Sequence, residues 1–208
     1  MDRHDEMDRM RILIGVAFTH FEQSQSFDYG QIRVQTSAPS SAPVPVKDLT
    51  LKQAQIVRLV RSLKPEQAAW LRYCYAKRDT GSEWADIEHT SVYVFSRCLS
   101  QFEGITQEKR QRLMGFVLPA LQQIQYEQNS GKRLYTTARL IELTSDTASA
   151  TQSCWKRDWA PFWRAMCGEL RNLDHKALLD LIDAFDLDRI TIKKQKQVEA
   201  KTQIRLSA

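Results

Sequence analysis

Residues 149–164 read Ser-Ala-Thr-Gln-Ser-Cys-Trp-Lys-Arg-Asp-Trp-Ala-Pro-Phe-Trp-Arg and hold the side chains best suited to recognition chemistry in this 208-residue chain. Gln, Ser and Thr hydrogen-bond to base edges, while Lys and Arg read guanine or neutralise phosphate. Ser149 and Gln152 repeat a helix-cap spacing, which opens a helix ending near Trp159 and puts Thr151, Gln152, Lys156 and Arg157 on its outward face. A shorter helix over 135–143, with Ala138, Ile141 and Leu143 inward, and a polar turn at 144–147 precede it. Short helix, polar turn and polar-faced helix is the helix-turn-helix order. A turn between helices is also commonplace in any bundle. The usual turn glycine is missing too, with Glu142 or Leu143 near its place. Trp155, Trp159 and Trp163 step by four residues, which favours core packing over stacking on bases.

Local charge supports this region modestly. Residues 131–164 carry Lys132, Arg133, Arg139, Lys156, Arg157 and Arg164 against Glu142, Asp146 and Asp158, a net of +3. Together with Thr151 and Gln152, these cations form the candidate DNA-contacting set. Residues 165–188 are acidic, net −4, and 189–208 are basic, net +5, which equals the net charge of the whole protein. The body before the tail is therefore neutral, and the overall basic balance says little about partners. A basic tail adds salt-sensitive attraction to nucleic acid, or is merely solvated.

Enzyme chemistry finds no foothold. Cys74, Cys98, Cys154 and Cys167 never approach the spacing of a zinc site or a redox pair, and they read as reduced core thiols. The four histidines are scattered, and seven glycines in all form neither a phosphate loop nor a nucleophile elbow. No catalytic residue, metal or cofactor is expected. The longest clean apolar run, 12–18, is too short to cross a membrane and follows acids rather than a basic flank. A soluble intracellular protein is the expectation.

The elements that must position the candidate site are helices. Met7, Met10, Ile14, Ala17, Phe18 and Phe21 form the stripe of an amphipathic N-terminal helix. Residues 31–35 alternate and suggest a short edge strand, and 36–46, rich in Pro, Ser and Ala, form an extended linker. Thr50 and Gln53 fit a capping box that opens a helix to Leu63. Pro65 opens the next, a turn at 78–81 follows, and helical period returns over 84–102 and from Thr106 to about Gln128, where Pro119 should kink or break it. Pro161 opens a further helix through Leu170, and 174–188 forms another with acids on one side, either solvated or a docking face for a basic partner. The chain is thus all-α: 1–35 an N-terminal helix with a short extended segment, 36–47 a linker, 48–130 a helical core, 131–188 a helix-turn-helix-like DNA-binding unit with the acidic helix, and 189–208 a basic tail.

Several of these segments resemble one branch of the phage late-gene antitermination protein Q family, a branch without the zinc-binding cysteines of others. The resemblance lies in Ala69-Trp70-Leu71-Arg72-Tyr73-Cys74-Tyr75, in Trp84 before an aromatic helix ending Gln101-Phe102-Glu103, and in Lys109-Arg110-Gln111-Arg112-Leu113. It continues through residues 155–166 and Leu173-Asp174-His175-Lys176-Ala177-Leu178, so it spans about 64–179. One departure stands out: 145–151 carries extra residues where the family has a compact turn, which leaves the register of the recognition helix open. The resemblance implies a cytoplasmic transcription factor in a bacterial host. It would bind double-stranded DNA near a late promoter, engage RNA polymerase paused downstream, and make it read through terminators. The residue-level alternatives are a conventional helix-turn-helix regulator and a non-catalytic helical adaptor.

Overall fold

The computed structural model describes residues 3–25, 48–76, 83–148 and 150–206, with side chains described for 3–19, 52–76, 84–146, 148 and 150–188. The edge strand expected at 31–35, the linker at 36–46, the turn at 78–81 and the cap at Ser149 lie outside the described residues. Every regular element among the described residues is helical. They are α1 (Arg3–Gln25), α2 (Asp48–Ser62), α3 (Pro65–Tyr75), α4 (Glu83–Leu99), α5 (Gln107–Met114), α6 (Val117–Ser130), α7 (Thr137–Ala148), α8 (Gln152–Cys154), a π-turn (Trp155–Trp159) and α9 (Ala160–Leu206).

The apolar stripe of α1 behaves as its spacing demands: Met7, Met10, Ile14, Ala17 and Phe18 are buried, and the helix packs on α2, α3 and α9. The start of α2 differs from expectation. The helix begins at Asp48, so Thr50 and Gln53 lie inside it instead of bracketing its start, and Ala54 faces solvent. In α3, Pro65 takes the first position, and Gln67 accepts the Lys64 amide at 3.3 Å. Thr106 caps α5 by accepting the Lys109 amide at 3.3 Å. The helix predicted over 106–128 does break, at Gly115 and Phe116. Pro119 falls in the first turn of α6, where helix amides have no intrahelical partner.

Two expectations near the candidate site are corrected. Residues 144–147 are not a turn; they continue α7 to Ala148, so the extra residues lengthen a helix. Its inward face is Leu140, Thr144 and Ala148, while Ala138 and Leu143 are exposed. Thr144 tolerates burial because its hydroxyl donates to the Leu140 carbonyl at 2.7 Å.

The second correction is larger. The separate helices expected from Ser149, from Pro161 and over 174–188, with the tail beyond, form one continuous rod. Its 47-residue α9 alone is about 70 Å long. Within the π-turn, the Ala160 amide donates to the Trp155 carbonyl five residues back. A proline inside a helix removes one hydrogen bond and crowds the carbonyl a turn earlier. Here that turn is already opened to five-residue spacing, and the helix passes Pro161 without ending.

The rod is the spine of the fold. Trp155, Trp159, Phe162, Met166, Leu170, Leu173, Ala177, Leu178, Leu181 and Ile182 are buried, and α1, α2, α3, α4 and α6 pack around them. Its acids are not simply a solvated stripe. Asp174 is buried, Asp180 accepts from Gln67 at 2.6 Å, and Asp188 accepts from Gln55 and from Arg58 at 2.7 Å.

Candidate nucleic-acid interface

Thr151 is the cap of the rod. Its amide donates to Cys154 Sγ at 3.2 Å and its hydroxyl to the same sulfur at 3.1 Å, so its polar atoms shape the helix start. These bonds hold the Cys154 thiol below its ordinary pKa. Gln152, Lys156 and Arg157 project into solvent from the turns that follow. Arg157 forks onto Asp158, Nε to Oδ1 at 2.8 Å and Nη2 to Oδ2 at 2.9 Å, which holds the Asp158 carboxyl below the usual carboxylate range.

Behind this polar face, Trp155 and Trp159 are buried against Phe116, with ring centroids 5.9 and 5.5 Å apart. Trp163 is half-buried against the same core. The tryptophans therefore anchor the rod and are not offered to bases. Cys74, Cys98 and Cys167 are buried thiols, whereas Cys154 is only half-buried.

Alpha-helix α5 sits directly beside the π-turn. Lys109 Nζ lies 4.8 Å from the Phe162 ring centroid and 5.8 Å from that of Trp159. Thr106, Glu108, Lys109, Arg112, Asp158 and Trp159 line one shallow cleft between the two elements. Lys109 and Arg112, the latter paired with Glu108 at 2.6 Å, thus share a cleft with Asp158, the partner of Arg157. Spacing along the chain gives no sign of this; only the packing of Phe116 on Trp159 brings α5 there.

The remaining candidate cations stand on three other segments. Lys132 and Arg133 are exposed in the α6–α7 connection, which is tied to α6 by the Tyr135 amide on Gln123 at 3.0 Å and the Tyr135 hydroxyl on Gln122 at 2.6 Å. Arg133 acts electrostatically on Glu127, whose carboxyl is held down chiefly by a two-pronged Arg171 bridge at 2.9 Å. Arg171 follows Lys156 by 15 residues, about 22 Å along the rod. Arg139, on the first turn of α7, pairs with Glu142 at 2.7 Å. Arg164 is exposed on the rod and donates to the Ala160 carbonyl at 3.3 Å, in a cleft shared with Gln101 and Phe102 at the end of α4. The structure therefore places Thr151, Gln152, Lys156 and Arg157 on the first turns of the rod beside α5, with Arg139 on α7, which also packs against α5, and Arg164 seven residues beyond Arg157, while Arg133 faces the Glu127–Arg171 pair further along the rod.

Among the described residues, no cluster of His, Cys, Asp and Glu is arranged to hold a metal ion, and no helix is long and apolar enough to cross a membrane. The molecule is an all-α, multi-helix protein that displays cations at the start of a single long helix.

The chain belongs to the phage antitermination protein Q family, whose model matches residues 29–205. It is accordingly an antitermination protein, of a regulatory and non-enzymatic family. Helix α1 precedes the matched residues. Neither the curated proteins nor the solved structures contained a match.

Proposed function

We propose that this protein antiterminates by binding duplex DNA near a phage late promoter through the start of its rod, then engaging the bacterial host's RNA polymerase in the cytoplasm so that it reads through terminators. The observation that carries the DNA step is the exposed Gln152, Lys156 and Arg157 face, backed by buried Trp155 and Trp159 and flanked by Lys109 and Arg112. Rigid backing matters because base contacts require side chains held in register. In this reading Gln152 reads a base edge and Thr151 fixes the helix start. Lys109, Arg112, Lys156 and Arg157 neutralise phosphate. Lys132, Arg133, Arg139 and Arg164 contribute phosphate contacts only where the duplex extends past the rod start.

No bond-making step is required, since remaining bound to polymerase and altering the path of the transcript is a binding effect. The test is transcription in vitro with purified polymerase on a template carrying a late promoter and a downstream terminator. Added protein should raise read-through, and Gln152→Ala/Lys156→Ala should abolish promoter-specific recruitment. Equal read-through on templates with and without the late promoter would overturn the DNA step.

A further inference from the structure

We propose that the face of α4 bearing Trp84 and Val92 docks a segment of RNA polymerase that offers an apolar anchor flanked by lysine or arginine. This rests on the reading that the protein engages polymerase, and it names the surface that does so. Trp84 is 72% exposed and Val92 66% exposed, although both belong to a helix whose other side is fully committed to the core. They lie eight residues apart, on one helical face with Glu88 between them. Beside them, a groove of about 550 Å³ where α4 meets the start of α3 is lined by residues that include Pro65, Glu66, Glu88, Val92, Tyr93 and Arg97. An exposed tryptophan next to an apolar groove is the arrangement in which interface energy concentrates, because Trp brings large area at little entropic cost.

Charge selects the occupant. Glu66 and Glu88 edge the groove, and neither has an ion pair among the described residues; Arg97 lines it further along α4, where it is drawn toward Glu169 at 3.8 Å, so two carboxylates face one partly engaged guanidinium. With two glutamates against one arginine, the groove locally disfavours phosphate and favours a cationic peptide. Nucleic acid is therefore the wrong partner for this face. Trp84 lies 13 residues before Arg97, about 20 Å along α4, while the DNA-facing cations cluster around the start of the rod. Both faces are free to be occupied at once.

The experiment measures binding of the full chain to purified bacterial core RNA polymerase and, separately, to promoter DNA. Trp84→Ala should weaken polymerase binding by about 30-fold. Val92→Asp should weaken it comparably. Glu66→Lys/Glu88→Lys should weaken it most at low salt, and all variants should keep wild-type DNA affinity and melting temperature. Polymerase affinity unchanged in all three, with the wild type binding, would overturn the docking site while leaving the antitermination reading intact. Wild-type protein with no polymerase affinity would sink that reading itself, and the site with it. A wild-type dimer that Trp84→Ala converts to monomer would reassign the face to a second copy of the chain and overturn the proposal.

Discussion

The indole of Trp70 donates to Asp174 Oδ1 at 2.9 Å where both side chains are buried, at 0% and 1% exposed. The Tyr75 hydroxyl reaches the same oxygen at 2.7 Å, and Arg11 donates to the other oxygen at 2.9 Å and to the Tyr75 hydroxyl at 3.0 Å. One carboxylate thereby joins α1, α3 and α9. Such a group is stable only while fully paired, and deleting it strands three donors. Asp174→Ala should cost about 3–5 kcal/mol in urea unfolding. Arg11→Ala, which releases only the α1 arm, should cost less. A loss under about 1 kcal/mol for Asp174→Ala would mean that the network is not what holds the helices together.

That network also shows what the sequence made legible. Helix existence was readable, because Met7, Met10, Ile14 and Phe18, or Val57 and Val60, recur at helical spacing and end up buried. The role of the acids was not: Asp174, Asp180 and Asp188 find Trp70, Gln67 and Arg58 at separations of 104, 113 and 130 residues, and local pattern carries no such information. The continuity of the rod was hidden for a different reason. Pro161 is a strong local breaker, and the π-turn that absorbs it coincides with the packing of Trp155 and Trp159 on Phe116. At the candidate interface, the exposure of Gln152, Lys156 and Arg157 was readable, whereas the neighbouring Lys109 and Arg112 arrive through tertiary structure.

Stability should fall in alkali. Burial pushes the Cys98 thiol up to about 11 and the Cys167 thiol up to about 12, from an ordinary 9.0. Burial, with Cys74 and Asp174 beside it, also holds the Tyr75 hydroxyl above the phenol range. Groups raised on folding contribute fully below their unfolded values and lose that contribution as pH climbs through the folded ones. Unfolding free energy should therefore decline from about pH 9 upward. A flat profile between neutrality and pH 11 would contradict this.

Acid should loosen two surface bridges. The Asp188 carboxyl is held low by Arg58 and Gln55, and that of Glu127 by Arg171. Groups lowered on folding contribute above their ordinary values, here 3.8 and 4.5, and lose that contribution as pH falls through the folded ones. Both bridges are solvated, so Glu127→Gln should cost no more than about 1 kcal/mol at neutral pH. It should also flatten the acid limb of the stability profile. An acid limb identical to that of the wild type would discount the Arg171 bridge.

Thiol reactivity should single out one cysteine. Cys154 is half-buried, and hydrogen bonds from Thr151 favour its thiolate, whereas burial disfavours the thiolates of Cys98 and Cys167. Alkylation at neutral pH, followed residue by residue, should modify Cys154 well before the other three. Thr151→Val should slow that reaction. Equal labelling of Cys98 or Cys167 in the folded protein would contradict the burial seen in the structure.

The sharpest check on the DNA-facing surface uses an acid. Asp158 accepts both prongs of Arg157 and lies within the electrostatic reach of Lys109, so it cancels positive charge where phosphate is expected to approach. Lys156→Ala should weaken DNA binding and reduce the salt slope by about 1, since each neutralised phosphate releases counterions. Asp158→Asn should do the opposite, freeing Arg157 and strengthening DNA binding in low salt. A structural role for the Arg157–Asp158 pair would not produce that gain, because breaking an exposed ion pair lowers stability slightly and does nothing for phosphate. If Asp158→Asn binds promoter DNA no more tightly than the wild type across a salt titration, the start of the rod does not face the duplex.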